Sequence, residues 1–125
     1  MPSKVFIRTG TAIIELKRIK KSCHNKRFLS SYFSADEIRF FVAHKLSPAL
    51  IAENYCVKIA IAKAIGMGFR VFRAQDITVL RDRLGTPFII TEGRAKMIEQ
   101  RDGCVFNVSV DHTKHYAIAN VIINK

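Results

Sequence analysis

The sequence predicts an α+β fold, a single domain over residues 1–125 with mixed strands and one long central helix. Three observations predict it. Apolar residues recur at helical spacing through the first half, and the period changes after Ile77. Hairpin signals come late in the chain. No internal repeat, low-complexity tract or Pro/Gly/Ser linker divides it.

The elements follow in order. Val5-Phe6-Ile7 reads as an opening strand broken at Gly10, then resumed or converted into helix through Ile13–Ile19. Leu16 and Ile19 fall three apart while Lys17, Lys20 and Lys21 lie on another face, the spacing of an amphipathic helix with a basic outer stripe. Ser34-Ala-Asp-Glu37 has the form of a capping box, and Ile38, Phe41 and Val42 follow at helical intervals. Ser47 is an N-cap with Pro48 at the first helical position, where its missing N–H costs nothing. The run rich in Ala, Leu and Ile then continues to Ile65, about five turns, and Gly66 or Gly68 supplies the stop. Ile77–Leu80 reads as a strand, Arg81–Pro87 as a turn and Phe88–Ile90 as its hairpin partner. A short helix is expected over Glu92–Gln100. Val105–Val110 and Tyr116–Ile123 read as two further strands joined around Asp111–His115.

Composition narrows the function. With 49% apolar and 25% charged residues the chain is globular. No run approaches the ~18–20 apolar residues of a membrane span, and Met1–Arg8 has no apolar core of a secretory signal. Cys23, Cys56 and Cys104 form neither a disulfide framework nor a zinc pattern, which favours a cytoplasmic setting. The net charge of +11 asks for an anionic partner. Up to Phe33 the cations Lys4, Arg8, Lys17, Arg18, Lys20, Lys21, Lys26 and Arg27 face Glu15 alone. Nucleic acid is not the expected partner, because no RNP-type aromatic motif, zinc-finger spacing or heptad-linked basic region occurs. His112 and His115 lie between strands without a third ligand, so zinc is not expected. Gly66-Met-Gly68 ends a helix where a dinucleotide fingerprint would open one.

Four blocks in register resemble the holo-acyl-carrier-protein synthases, the short 4′-phosphopantetheinyl transferases. Gly10-Thr-Ala12-Ile-Ile-Glu-Leu-Lys-Arg18-Ile is similar to the family's opening motif. Tyr55-Cys-Val-Lys58-Ile59-Ala-Ile-Ala-Lys63-Ala-Ile-Gly66-Met-Gly68 resembles its long-helix motif, F-x-x-K-E-A-x-x-K-A-x-G-x-G. Asp76-Ile-Thr-Val with Gly85-Thr-Pro87 resembles its central hairpin, and Ser109-Val-Asp111-His112-Thr113 with Tyr116-Ala117 its late S-x-S-H-T segment. The resemblance implies a homotrimer, or a mixed trimer with an active subunit. It implies coenzyme A held between neighbours and transfer of the phosphopantetheine arm to a serine of an acyl carrier protein, in a fatty-acid or polyketide pathway. It places Lys58, Lys63, Gly66, His112 and Thr113 at the coenzyme. Arg18, Lys21 and Arg27 fall on the surface that docks the acidic carrier helix, with Phe28 either an anchor there or a core residue.

Two departures touch the chemistry. Ala12 stands where the family's magnesium-binding Asp belongs, and Ile59 where its Glu belongs. Magnesium prefers carboxylate and water oxygens, so it is not expected there, and no catalytic residue is assigned. Losing a metal that neutralises charge in phosphoryl transfer costs several kcal/mol, a slowing of roughly thousands-fold. Binding need not go with it: two carboxylates and one Mg²⁺ carry no net charge, and neither do Ala12 and Ile59. The expectation is a non-catalytic member, a partner or chaperone in a carrier-protein pathway. The rival is an active transferase with a rearranged metal site. Asp111, which replaces the serine before His112, is either a turn residue or a substitute ligand, with Glu15 the other nearby carboxylate.

Overall fold

In a computed structural model describing residues 7–66, 69 and 72–124, the chain opens with β1 (Ile7–Glu15) and runs through four helices: α1 (Leu16–Lys20), α2 (Lys26–Tyr32), α3 (Ala35–Ala43) and α4 (Pro48–Ile65). A 3-10 turn at Ala74–Asp76 leads into β2 (Ile77–Arg81) and β3 (Pro87–Thr91). Then come α5 (Gly93–Asp102), β4 (Val105–His112) and β5 (Tyr116–Asn124). Strands β1, β5 and β4 form an antiparallel sheet in that order, and β2 pairs with β3 in a separate hairpin. The α+β class and the long central helix are as predicted.

The predicted helix signals behave as written. Ser34 and Glu37 close a reciprocal capping box, and the Ser47 hydroxyl accepts from the Leu50 N–H at the start of α4. Gly66 ends α4 in the left-handed region, φ 85°, while Gly68 lies outside the described residues. The opening strand needs correction. Val5 and Phe6 lie outside the described residues, and β1 runs unbroken through Gly10 to Glu15, leaving α1 only Leu16–Lys20. Gly10 is a point of close approach: a Cβ there would sit 1.9 Å from the Ala60 carbonyl oxygen on α4. The glycine lets helix and strand touch. Helix α2 was not expected; Asn25 starts it, its side-chain oxygen accepting from the N–H groups of Arg27 and Phe28.

Register decides what each strand residue faces. Directly paired residues share a face of the sheet, so Ala12, Ala119 and Val110 point one way, as do Ile14, Ala117 and His112. This is the face that α4 covers, with Ala117, Ala119, Val121 and Ile123 buried beneath it. The opposite face carries rows such as Ile7–Asn124–Val105 and Ile13–Ile118–Asp111. Ile7, Ile13, Val105, Tyr116 and Ile122 are exposed there. Among the described residues, no helix is long and apolar enough to cross a membrane.

Candidate functional site

The last turns of α4 form one wall of an open pocket of about 450 Å³ lined by Ile59, Ala62, Lys63, Gly66 and Phe69. Among the described residues Lys63 is its one charged lining residue, and its ammonium donates to the Thr11 carbonyl at 3.1 Å on β1. Arg8 sits at the same edge, donating to the Ile65 carbonyl at the end of α4. Among the described residues, two cations therefore border this end of the helix. The sequence had singled out only Lys63.

Ala12 is buried on the α4 side of β1. With Ile59 it offers magnesium no oxygen at the two matching positions. The substitutes do not reach round: Asp111 and Glu15 lie on rows facing the other side of the sheet, and Asp111 Oδ1 accepts from its neighbour's N–H at His112. Among the described residues no group of three or more His, Cys, Asp or Glu side chains comes together. The residues present do not fit a magnesium ion.

Lys58, which the motif places at a coenzyme phosphate, is spent inside the protein. It is 1% exposed, and Nζ donates to Glu37 Oε1 at 2.6 Å and to the carbonyls of Ala74 and Ile77 at 2.7 and 2.5 Å. An ammonium has three donors, so none is left for a ligand. Glu37 Oε2 also accepts from Asn54 Nδ2. Burial pushes the Lys58 ammonium below its ordinary range and the Glu37 carboxyl above it, while their mutual attraction works against both shifts.

His112 finds a partner the sequence did not suggest. Its Nδ1 lies 2.9 Å from Glu53 Oε2 on α4, and Glu53 Oε1 accepts from Arg81 Nη2 at 3.0 Å. Fifty-nine residues separate His112 from Glu53. The available signal was that Glu53 is the one acid within the apolar run of α4. Thr113 caps the β4–β5 turn, its hydroxyl accepting from the N–H groups of His115 and Tyr116. One chain does not bring this corner to the Lys63 pocket. Ala12 and His112 are two strands and two register positions apart, on the order of 12 Å. Glu53 and Ile59 are separated by about 9 Å along α4 and point ~120° apart.

The docking candidates Arg18, Lys21 and Arg27 are exposed with Lys17, Lys20 and Lys26. Phe28 is half-buried, packing against Tyr32, Phe33 and Tyr55. The basic face of α1 continues onto the β4–β5 turn through a pocket of about 230 Å³ whose lining includes Lys17, Lys20, Lys114 and His115.

This arrangement has known counterparts. The profile of the 4′-phosphopantetheinyl transferase superfamily matches residues 9–121, and the chain belongs to that superfamily, in its holo-acyl-carrier-protein synthase family. A holo-[acyl-carrier-protein] synthase of Clostridium perfringens is 34% identical over 125 residues, covering 95% of this chain and 94% of the relative. The crystal structure of the Neisseria meningitidis synthase superposes with a TM-score of 0.85 at 24% identity, over 94% of this chain and 98% of that one. The Bacillus anthracis synthase in complex with CoA (3′,5′-ADP) does so with 0.81 at 25% identity, over 98% and 99%.

Proposed function

We propose that this chain binds coenzyme A and docks an acidic acyl carrier protein, with phosphopantetheinyl transfer lost or severely slowed. The observation that carries this reading is the apolar wall that Ile59, Ala62 and Phe69 make beside Lys63, with no carboxylate at Ile59 or at the buried Ala12. Such a wall next to cations accepts a pyrophosphate but gives no anchor for the ion that would polarise it. The coenzyme bound by the Bacillus anthracis relative supports the ligand, and the exposed cations of α1 and α2 support the acidic partner.

A homotrimer accommodates two further observations. The coenzyme-site residues fall into two sets in one chain, Lys63 with Gly66 and His112 with Thr113, and a neighbouring copy can bring the sets together. The exposed apolar face of the sheet is available for that contact. A mixed trimer with an active subunit uses the same face.

The name of the relatives favours the rival reading, an active transferase with a rearranged metal site. One experiment separates them. Apo carrier protein is incubated with the chain, coenzyme A and Mg²⁺, and the added arm is followed by mass spectrometry. Transfer thousands-fold below that of a family member with both ligands is expected, and Ala12→Asp with Ile59→Glu should raise it measurably. Efficient transfer by the unaltered chain overturns the proposal. Titration calorimetry with coenzyme A, with and without Mg²⁺, should show binding that does not need the ion; no heat up to millimolar ligand removes the coenzyme.

A further inference from the structure

We infer that Glu53 is a positioning residue of the coenzyme A site, holding His112 through Nδ1 so that Nε2 is the ring nitrogen presented to the ligand. The inference rests on the coenzyme-binding reading above and adds a residue that the family motifs do not include. Glu53 is itself held. Its side chain is 8% exposed, and each carboxylate oxygen has one partner, Arg81 Nη2 at 3.0 Å and His112 Nδ1 at 2.9 Å. Arg81 is fixed in turn, with its guanidinium 5.8 Å from the Phe40 ring centroid. His112 stands differently, with 47% of its side chain exposed at the end of β4.

The hydrogen-bond inventory sets the consequence. An ionised carboxylate paired with arginine only accepts, so the proton between Glu53 and His112 belongs to Nδ1. Nε2 is then a bare acceptor in the neutral ring and a second donor in the imidazolium. As a donor, Nε2 suits a phosphate oxygen. Asp111, which the sequence offers as a turn residue or a substitute ligand, bonds only the backbone N–H of His112 and leaves the ring to Glu53.

The test needs two readouts on the full chain. Long-range ¹H–¹⁵N spectra of the labelled protein should place the His112 proton on Nδ1, and Glu53→Gln should move the ring toward the Nε2–H tautomer. Calorimetry with coenzyme A should show about tenfold weaker binding for Glu53→Gln, with Glu53→Asp recovering most of it. In a His112→Gln background, Glu53→Gln should cost nothing further, because it acts through the ring. A merely structural Glu53 would weaken binding equally in both backgrounds. A wild-type neutral His112 ring carrying its proton on Nε2 with Nδ1 bare, or a Glu53→Gln chain binding as tightly as wild type, overturns the inference and leaves the coenzyme reading standing. Failure of the wild-type chain to bind coenzyme A overturns both. The wild-type spectrum needs no variant, so a Glu53→Gln chain that does not fold does not protect the inference.

Discussion

Two buried carboxylates pack at α4, and their surroundings differ at one point. Glu37, on α3, is enclosed by Lys58 and Asn54 of α4 and the backbone of Ser34, and Lys58 spends its remaining donors on the carbonyls of Ala74 and Ile77. The ion pair at its centre is wholly interior. Glu53 has an interior partner in Arg81 and a half-exposed one in His112. The closed cluster ties α3, α4 and the start of β2 into one unit. The open one hands a fixed imidazole to the surface. A lysine that falls within a motif resembling a binding motif thus spends its donors on the fold, while an acid outside that motif holds a half-exposed histidine.

The largest effect expected from this contrast is on stability. Lys58→Met leaves Glu37 buried without its cation and two carbonyls without a donor, and should cost about 3–5 kcal/mol in urea unfolding. Replacing both partners, Lys58→Met with Glu37→Leu, leaves no buried charge and should recover a good part of that loss. A single variant that unfolds at the wild-type midpoint would show that the pair is solvated, against its near-complete burial.

The open cluster should yield less. Arg81→Met removes one charge-assisted hydrogen bond at a side chain 9% exposed, while Glu53 keeps His112 and some access to water. A loss of about 2 kcal/mol is expected. If Arg81→Met proves more damaging than Lys58→Met, the ranking of closed over open is reversed, and Glu53 belongs to the fold more than to the site.

The two clusters also divide what the sequence made legible from what it did not. Local chemistry reads directly: Ser47-Pro48 starts α4, Gly66 ends it, and Ser34 with Glu37 caps α3. Those signals act within a few residues. Gly10 was misread as a break because its reason lies in Ala60, fifty positions away and on another element. Glu37 was read correctly as a cap, yet its pairing with Lys58 depends on how α3 packs on α4. Motif matching put Lys58 at the ligand because a motif carries no information about where a side chain's donors go. Ala12 and Ile59 were legible as departures, and the register of β1 and β4 then placed Asp111 on the other side of the sheet from Ala12 within one chain.

Cys56 lies between the two clusters on α4 and gives the smallest and most local measure of how dry that face is. Its Sγ is 3.6 Å from the Ala117 carbonyl and the residue is 1% exposed. Burial pushes the thiol up to about 11 from its ordinary 9.0, and the negative charge of Glu53 adds to the rise. A raised value in the folded chain means that the folded state holds the proton longer than the unfolded one. The resulting stabilisation is complete below pH 9 and is lost as pH climbs towards 11. The unfolding free energy of wild type relative to Cys56→Ala should therefore shrink by about 1 kcal/mol between pH 8 and pH 10. The fixed cost of removing the thiol cancels in that difference, as do the other titrating groups common to both chains. A gap that stays constant would mean that water reaches Cys56, and the low-polarity face that separates the closed cluster from the open one would then not be continuous.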